Sequence, residues 1–380
     1  MERAVYLDYN ATAPMKPAVI AAVVEAMGRL GNASSVHRFG RLARRAVEEA
    51  RERVAALVGA RPEQVVFTSS GTEANNLALH GRGRVHERVH ERVIVSAIEH
   101  DSVRRAAPHA EILPVGADGV VDLEALARLL SRDGKPALVS VLLANNETGV
   151  IQPVAEIARL ARSHDCLVHC DAVQAAGKIP VDLGSLGVHL LSLSAHKIAG
   201  PQGAGALVVA DGVEVESMLR GGGQERGRRA GTEDVAALAG FGVAAELARE
   251  GLGDTASLTR LRDDLERRVL DLAPGVKIFG AEAPRVANTS CFTMPGVASE
   301  TQVMALDLAG VAVSAGAACS SGKVQPSHVL RAMGASEAEA GGAIRVSLGW
   351  RTSAADIDRF VEAWGGLFAR TRSAVAPAAA

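Results

Sequence analysis

The chain has 380 residues, 48% of them hydrophobic and only 3% aromatic, and its 41 basic residues are nearly cancelled by 43 acidic ones. So balanced a charge gives no field that would recruit nucleic acid or an anionic membrane, and so few aromatics give no platform for stacked bases. No run approaches the ~18 apolar residues of a spanning helix, no leader-like segment is visible, and four cysteines make no disulfide framework, so a cytoplasmic globular protein of about two domains is expected.

Between Pro17 and about Ala210, short β-branched runs alternate with helical patterns, the signature of an α/β domain around a mostly parallel sheet. The segment PAVIAAVVEAMGRL, with Pro17 in its first turn, is predicted to be a helix, and the Arg- and Glu-rich stretch from Arg41 to Arg53 reads as a solvated helix face. Strands are predicted at VVFTS, VIVSAI, ALVSVLLA, LVHCDAV, HLLSLSA and GALVVA, with a helix at LEALARLLS, and the apolar character of the strands implies burial on both faces. VHERVHERV, at 85–93, is a local charged duplication, not the period of a solenoid. Cys166 and Cys170, in CLVHCDAV, read as small buried hydrophobes, not as a metal pair. Beyond the helical stretches VAALAGFGVAAELAREGL and LTRLRDDLERRVLDL the character changes. Strands at NTSCFTM and IRVSLGW and a helix at SAADIDRFVEAWGGLF suggest a smaller α+β domain. The expected division is a large domain over 15–257 and a small one built from 1–14 and 258–380, and the AVAPAAA tail is expected to be disordered.

The segment SLSAHKIAGPQGAGAL places Lys197 in a turn of small residues after a buried strand, where desolvation lowers an amine's pKa and suits it to a Schiff base. A loop lysine alone is more often merely solvated. Asp171 ends LVHCD, from where a carboxylate can pair with a pyridinium nitrogen; as a lone residue it could equally cap a helix. In FTSSGTEANN, Gly71 and Thr72 lie where strand gives way to helix, offering N–H groups and a hydroxyl to a phosphate. Cys319 sits among Gly, Ala and Ser in SAGAACSSGK, a composition that resists regular structure and gives a thiol access, though no neighbour in the sequence would lower its pKa. Cys291, beside Phe292, reads as an inert buried thiol.

The ordered set YLDYNAT, GNASSVHRFGR, FTSSGTEANN, EHDSV, NNETG, DAVQAAGKIP, SAHKIAGPQGAG, GGGQERGRRAGTE and SAGAACSSG resembles the cysteine desulfurases of the nitrogen-fixation and iron-sulfur-assembly type, which are class V aminotransferase relatives. The motifs run from Tyr6 to about residue 352. The resemblance implies the pyridoxal-phosphate-dependent transferase fold type I, a large domain with a mostly parallel seven-stranded sheet plus a smaller α+β domain. It implies pyridoxal phosphate as cofactor, carried by Lys197, with Asp171 on the pyridine nitrogen and His100 stacked on the ring as a proton relay. Asn146 and Gln174 match the hydrogen-bonding pair around the ring; Gly71, Thr72, Ser194 and His196 match the phosphate cradle. Thr232 matches a threonine that reaches the phosphate of the neighbouring subunit in a homodimer. Arg345 matches the arginine that holds the substrate carboxylate, and Asn32 with Ser34 and Ser35 the substrate entrance.

The implied reaction takes sulfur from L-cysteine onto Cys319 as a persulfide, releases alanine, and passes the sulfur to an iron-sulfur scaffold or a tRNA-thiolating acceptor. Either Lys197 or His100 would serve as base. No resident metal is implied, beyond Cys319 as a transient iron-sulfur ligand. The chain departs from the family pattern at Ala13, Ala33 and Trp350, where threonine, proline and arginine are common. A plain aminotransferase, which would not need Cys319, a selenocysteine lyase, an inactive scaffold that kept the fold, and a zinc protein, which lacks paired CxxC spacing, are the alternatives weighed against it.

Overall fold

The structure is a computed structural model describing residues 4–81, 84–85, 88–89, 92–132, 135–316 and 326–375. Cys319, and the end of the tail expected to be disordered, lie outside the described residues.

Seven strands form the main sheet: β1 (Val65–Thr68), β2 (Arg92–Ser96), β3 (Glu111–Leu113), β4 (Ala137–Leu142), β5 (Leu167–Asp171), β6 (Leu190–Ser194) and β7 (Gly205–Val209). Their spatial order is β1-β7-β6-β5-β4-β2-β3. All neighbouring pairs are parallel except those of β7, which runs antiparallel to both β1 and β6. The apolar runs are buried on two faces. Val65, Phe67, Val139, Val168 and Leu191 join one core cluster, while Val66, Leu138, Leu167, Leu190 and Leu207 join another.

Helices α1 (Pro17–Met27), α2 (Arg38–Leu57) and α3 (Gly71–His80) come before or beside the first strands, and the long α4 (Val235–Glu250) packs against both α1 and α2. The α2–α4 crossing is close because Gly242 lies against Ala50; a Cβ there would come within 2.7 Å of the Ala50 backbone. The stretch predicted as a solvated face is therefore solvated only in part. Arg51 is 6% exposed and makes a bidentate pair with Glu225, 2.7 and 2.8 Å from its two carboxylate oxygens.

A second sheet joins Thr289–Thr293, Ser314–Ala315 and Ala343–Ser347, with the Ala343–Ser347 strand in the middle. Its apolar face packs with α5 (Thr255–Leu272) and α6 (Ala354–Val375) around Phe292, Phe360 and Trp364. The N-terminal segment belongs with this sheet: Val5 and Tyr6 pair with Val311 and Ala312, and Asp8 bridges Ser347. It then crosses to the main sheet, delivering Asn10 between the two. Among the described residues no helix is long and apolar enough to cross a membrane.

Candidate active site

The strands β1, β2, β4, β5 and β6 all end on one edge of the main sheet, the place where open α/β sheets hold ligands. A pocket of about 300 Å³ opens there. Asp171 and Ser194 are the last residues of their strands, and His196 and Lys197 follow in a single helical turn. His100 caps a short turn beyond β2, Asn146 lies in the loop after β4, and Gly71 and Thr72 open α3. Gln174 lies in the turn after β5, and Arg345 comes from the second sheet. All ten line this one pocket.

Lys197 Nζ donates to the carbonyls of Asn10 (2.6 Å) and Ala11 (2.9 Å). Gln174 Nε2 reaches the same Asn10 carbonyl at 2.9 Å, and Lys178 Nζ donates to Asn10 Oδ1 (2.7 Å) and Gln174 Oε1 (2.6 Å). Burial, reinforced by the charges of Lys197 and Arg345, holds Lys178 well below the usual lysine range. Burial and Lys197 together push His196 down to about 4, so its imidazole is neutral at physiological pH. Arg345 is fixed by Asp8 Oδ1 at 2.7 Å and by the Asn146 carbonyl at 3.1 Å, while its Nε is buried with no partner among the described residues.

The residues present suit pyridoxal phosphate. Ser194 Oγ is a buried hydroxyl without a hydrogen-bond partner among the described residues, beside the N-terminus of the ten-residue α3. Gly71 keeps that corner open, since a Cβ would stand 2.9 Å from Val173 Cγ2 and 3.3 Å from Ser194 Cβ. Gly205 of β7 passes just as tightly, a Cβ there falling within 2.4 Å of the Ser70 carbonyl carbon. Helix N–H groups, a free hydroxyl and a neutral imidazole are donors for a phosphate; an amine and a carboxylate are what the ring and aldehyde need.

Four of the expected residues do not line this pocket: Thr232, Asn32, Ser34 and Ser35. Thr232 and Asn32 are both exposed, and Asn32 Oδ1 accepts the N–H of Ser34 at 2.8 Å in a local turn. Ser34 lines a separate depression beside Arg51 and Glu225. Conversely, Asn10, Asn75, Ser102 and Ser314 line the pocket without having been singled out from sequence. All four lie inside quoted motifs (YLDYNAT, FTSSGTEANN, EHDSV, SAGAACSSG), so the available signal was the motif and not the residue. Cys166, Cys170 and Cys291 are all buried free thiols, and burial pushes Cys291 up.

A family model described as aminotransferase class-V matches residues 5–360. An IscS-like cysteine desulfurase of Mycobacterium tuberculosis is 42% identical, over 98% of this chain and 98% of its own. A cysteine desulfurase of Cereibacter sphaeroides is 43% identical, over 95% of each. Among solved structures, the NifS-like protein from Rickettsia africae superposes with a TM-score of 0.88 at 35% identity, covering 97% of this chain and 100% of that one.

Proposed function

The chain belongs to the class-V aminotransferase family, and we infer that it is a cysteine desulfurase that carries pyridoxal phosphate on Lys197 and takes sulfur from L-cysteine onto Cys319. What carries the assignment is the convergence on one pocket of an amine (Lys197), a carboxylate (Asp171), an imidazole (His100) and a guanidinium (Arg345) from elements far apart in sequence. Lys197 would carry the cofactor, Asp171 would pair its ring nitrogen, and Gln174 and Asn146 would bind the ring substituents. Gly71, Thr72, Ser194 and His196 would hold its phosphate. When bound, pyridoxal phosphate supplies an electron sink for charge left at the substrate Cα.

The rest is work for the chain's own side chains. Arg345, already oriented by Asp8, offers parallel N–H groups to the substrate carboxylate. Asn10 holds the Lys197 amine through its carbonyl, and Lys197 or His100 takes the Cα proton. The Cys319 thiolate then attacks the substrate sulfur: an S–S bond forms as the substrate C–S bond breaks, the electron pair stays with the three-carbon remainder, and this is protonated and leaves as alanine. The persulfide passes to an acceptor protein such as an iron-sulfur scaffold or a tRNA-thiolating enzyme, in the cytoplasm. Thr232, exposed and away from the pocket lining, acts toward the phosphate of a second copy in a homodimer, and Asn32 belongs to the substrate entrance.

The test is a pair of variants. Cys319→Ala should keep the visible absorbance of the cofactor on Lys197 yet yield no alanine and sulfide from cysteine. Lys197→Ala should lose that absorbance. Alanine formed at the parent rate by the Cys319 variant would remove the cysteine from the reaction.

A further inference from the structure

In the pocket wall, a chain of hydrogen bonds joins Asp171 to His100 through two buried side chains. Asn75 Nδ2 donates to Asp171 Oδ2 at 2.7 Å and to Ser102 Oγ at 2.8 Å. Ser102 Oγ lies 2.8 Å from His100 Nδ1, and the Ser102 backbone N–H donates to the same nitrogen at 3.1 Å. Asn75 is 1% exposed and Ser102 8%, so water does not compete for these bonds.

The direction of the chain follows from its acidic end. A carboxylate only accepts, so Asn75 must turn its NH₂ toward Asp171; the flipped amide would set carbonyl oxygen against carboxylate. Asn75 Oδ1 accordingly has no partner among the described residues. With one amide hydrogen on Asp171 and the other on Ser102 Oγ, the serine hydroxyl keeps its own hydrogen for His100 Nδ1. That nitrogen then receives two donors, the hydroxyl and the backbone N–H, and has no room for a hydrogen of its own.

We propose that Asn75 and Ser102 are positioning residues that lock His100 in the tautomer protonated at Nε2. The imidazole then enters the site as a hydrogen-bond donor with no lone pair for a proton, and the accepting role falls to Lys197. The surroundings keep the ring neutral: burial, with Lys197, holds His100 below its ordinary value against the opposing pull of Asp171 and Asp101, and His328 faces it from the neighbouring helix. The assignment of the base rests on the pocket being the pyridoxal phosphate site; the tautomer does not, because each partner in the chain belongs to the protein.

Nitrogen NMR of isotope-labelled histidine in the cofactor-loaded protein tests this, with the His100 signal identified by its loss in His100→Gln. The expected pattern is hydrogen on Nε2 and a bare Nδ1, unchanged when the cofactor is removed. Ser102→Ala should replace the single tautomer by a mixture and raise the pH at which His100 titrates by about one unit, the equivalent of one hydrogen bond. Ser102→Thr, which keeps the hydroxyl, should restore the parent pattern and shows that any loss is not a general packing defect. Hydrogen on Nδ1 in the parent protein, or an unaltered tautomer and titration in Ser102→Ala, would overturn the proposal. Failure of the cofactor assignment would instead appear as absorbance independent of Lys197, with the NMR pattern untouched.

Discussion

Glu99 is wholly buried directly behind the site, where its Oε1 accepts from Ser96 Oγ (2.6 Å) and from the Leu142 N–H (2.7 Å), and its Oε2 has no partner among the described residues. Burial, with the nearby charge of Asp171, pushes this carboxyl up to about 8. An unfolded glutamate ionises near ~4.3, so between that pH and about 8 the folded chain holds a proton that the unfolded chain has released. Stability from this group is therefore full at low pH and drains away as pH rises through the window. Glu99→Gln, neutral at every pH, should show a flatter fall of the urea midpoint between about pH 5 and 8 than the parent. Parallel curves for the two proteins would mean that Glu99 ionises normally in the fold. Arg345 makes a different residue-scale case, because its value lies in its shape. Arg345→Lys keeps the charge but loses the fork that Asp8 and the Asn146 carbonyl hold in place. The KM for cysteine should then rise by about tenfold or more while kcat changes less, measured as alanine produced.

At the scale of elements, the segment Gln224–Gly227 is held in a costly shape. Glu225 and Arg226 both have left-handed backbone (φ 48 and 57), a conformation that disfavours side chains. The compensation comes from Arg51 of α2 and from the Phe67 N–H of β1, which donates to Glu225 Oε2 at 2.8 Å. Glu225→Ala leaves the buried Arg51 only its half-exposed second partner, Glu48, at 3.2 Å, and should cost about 3 kcal/mol, read as a drop in thermal midpoint well beyond that of an exposed-pair variant such as Glu216→Ala. This element also marks where reading from sequence ran out. The strands were legible because burial on both faces leaves continuous apolar runs, Asp171 because it closes such a run, and Lys197 because it lies in the turn of small residues that follows one. Arg51 was read as solvated because its partner lies 174 residues away, and nothing local distinguishes it from its exposed neighbours. The antiparallel course of β7 was illegible for a similar reason: its composition matches that of the parallel strands around it. Asn75 and Ser102 were invisible as individual residues because their partners are other protein groups, 96 residues apart for Asn75 and Asp171, and no chemistry with a ligand recommends them.

On the whole molecule, the apolar surface is distributed unevenly. Ile20, Val24 and Met27 repeat along one side of α1, opposite the buried Val19 and Ala26, and Leu30, Val36, Phe39 and Leu42 continue the exposed run. Met27, Leu30 and Val36 are 73%, 77% and 88% exposed. So many large apolar side chains within 23 positions exceed what scattered surface residues account for, and they mark a contact face. The homodimer proposed from Thr232 gives that face an occupant, a second copy of the chain. If the two belong to one interface, charge placed on α1 should act on both association and the site. Val24→Glu with Met27→Glu, at positions that bury little within one chain, should leave the monomer fold intact by circular dichroism yet convert the dimer to monomer in sedimentation at micromolar concentration. The separated chain should also hold the cofactor more weakly, because a phosphate contact from the second copy's threonine is lost. A parent protein that sediments as a monomer would refute the dimer, and a double variant that stays dimeric would move the interface elsewhere. A monomeric variant with undiminished cofactor affinity would keep the interface and remove Thr232 from the phosphate site.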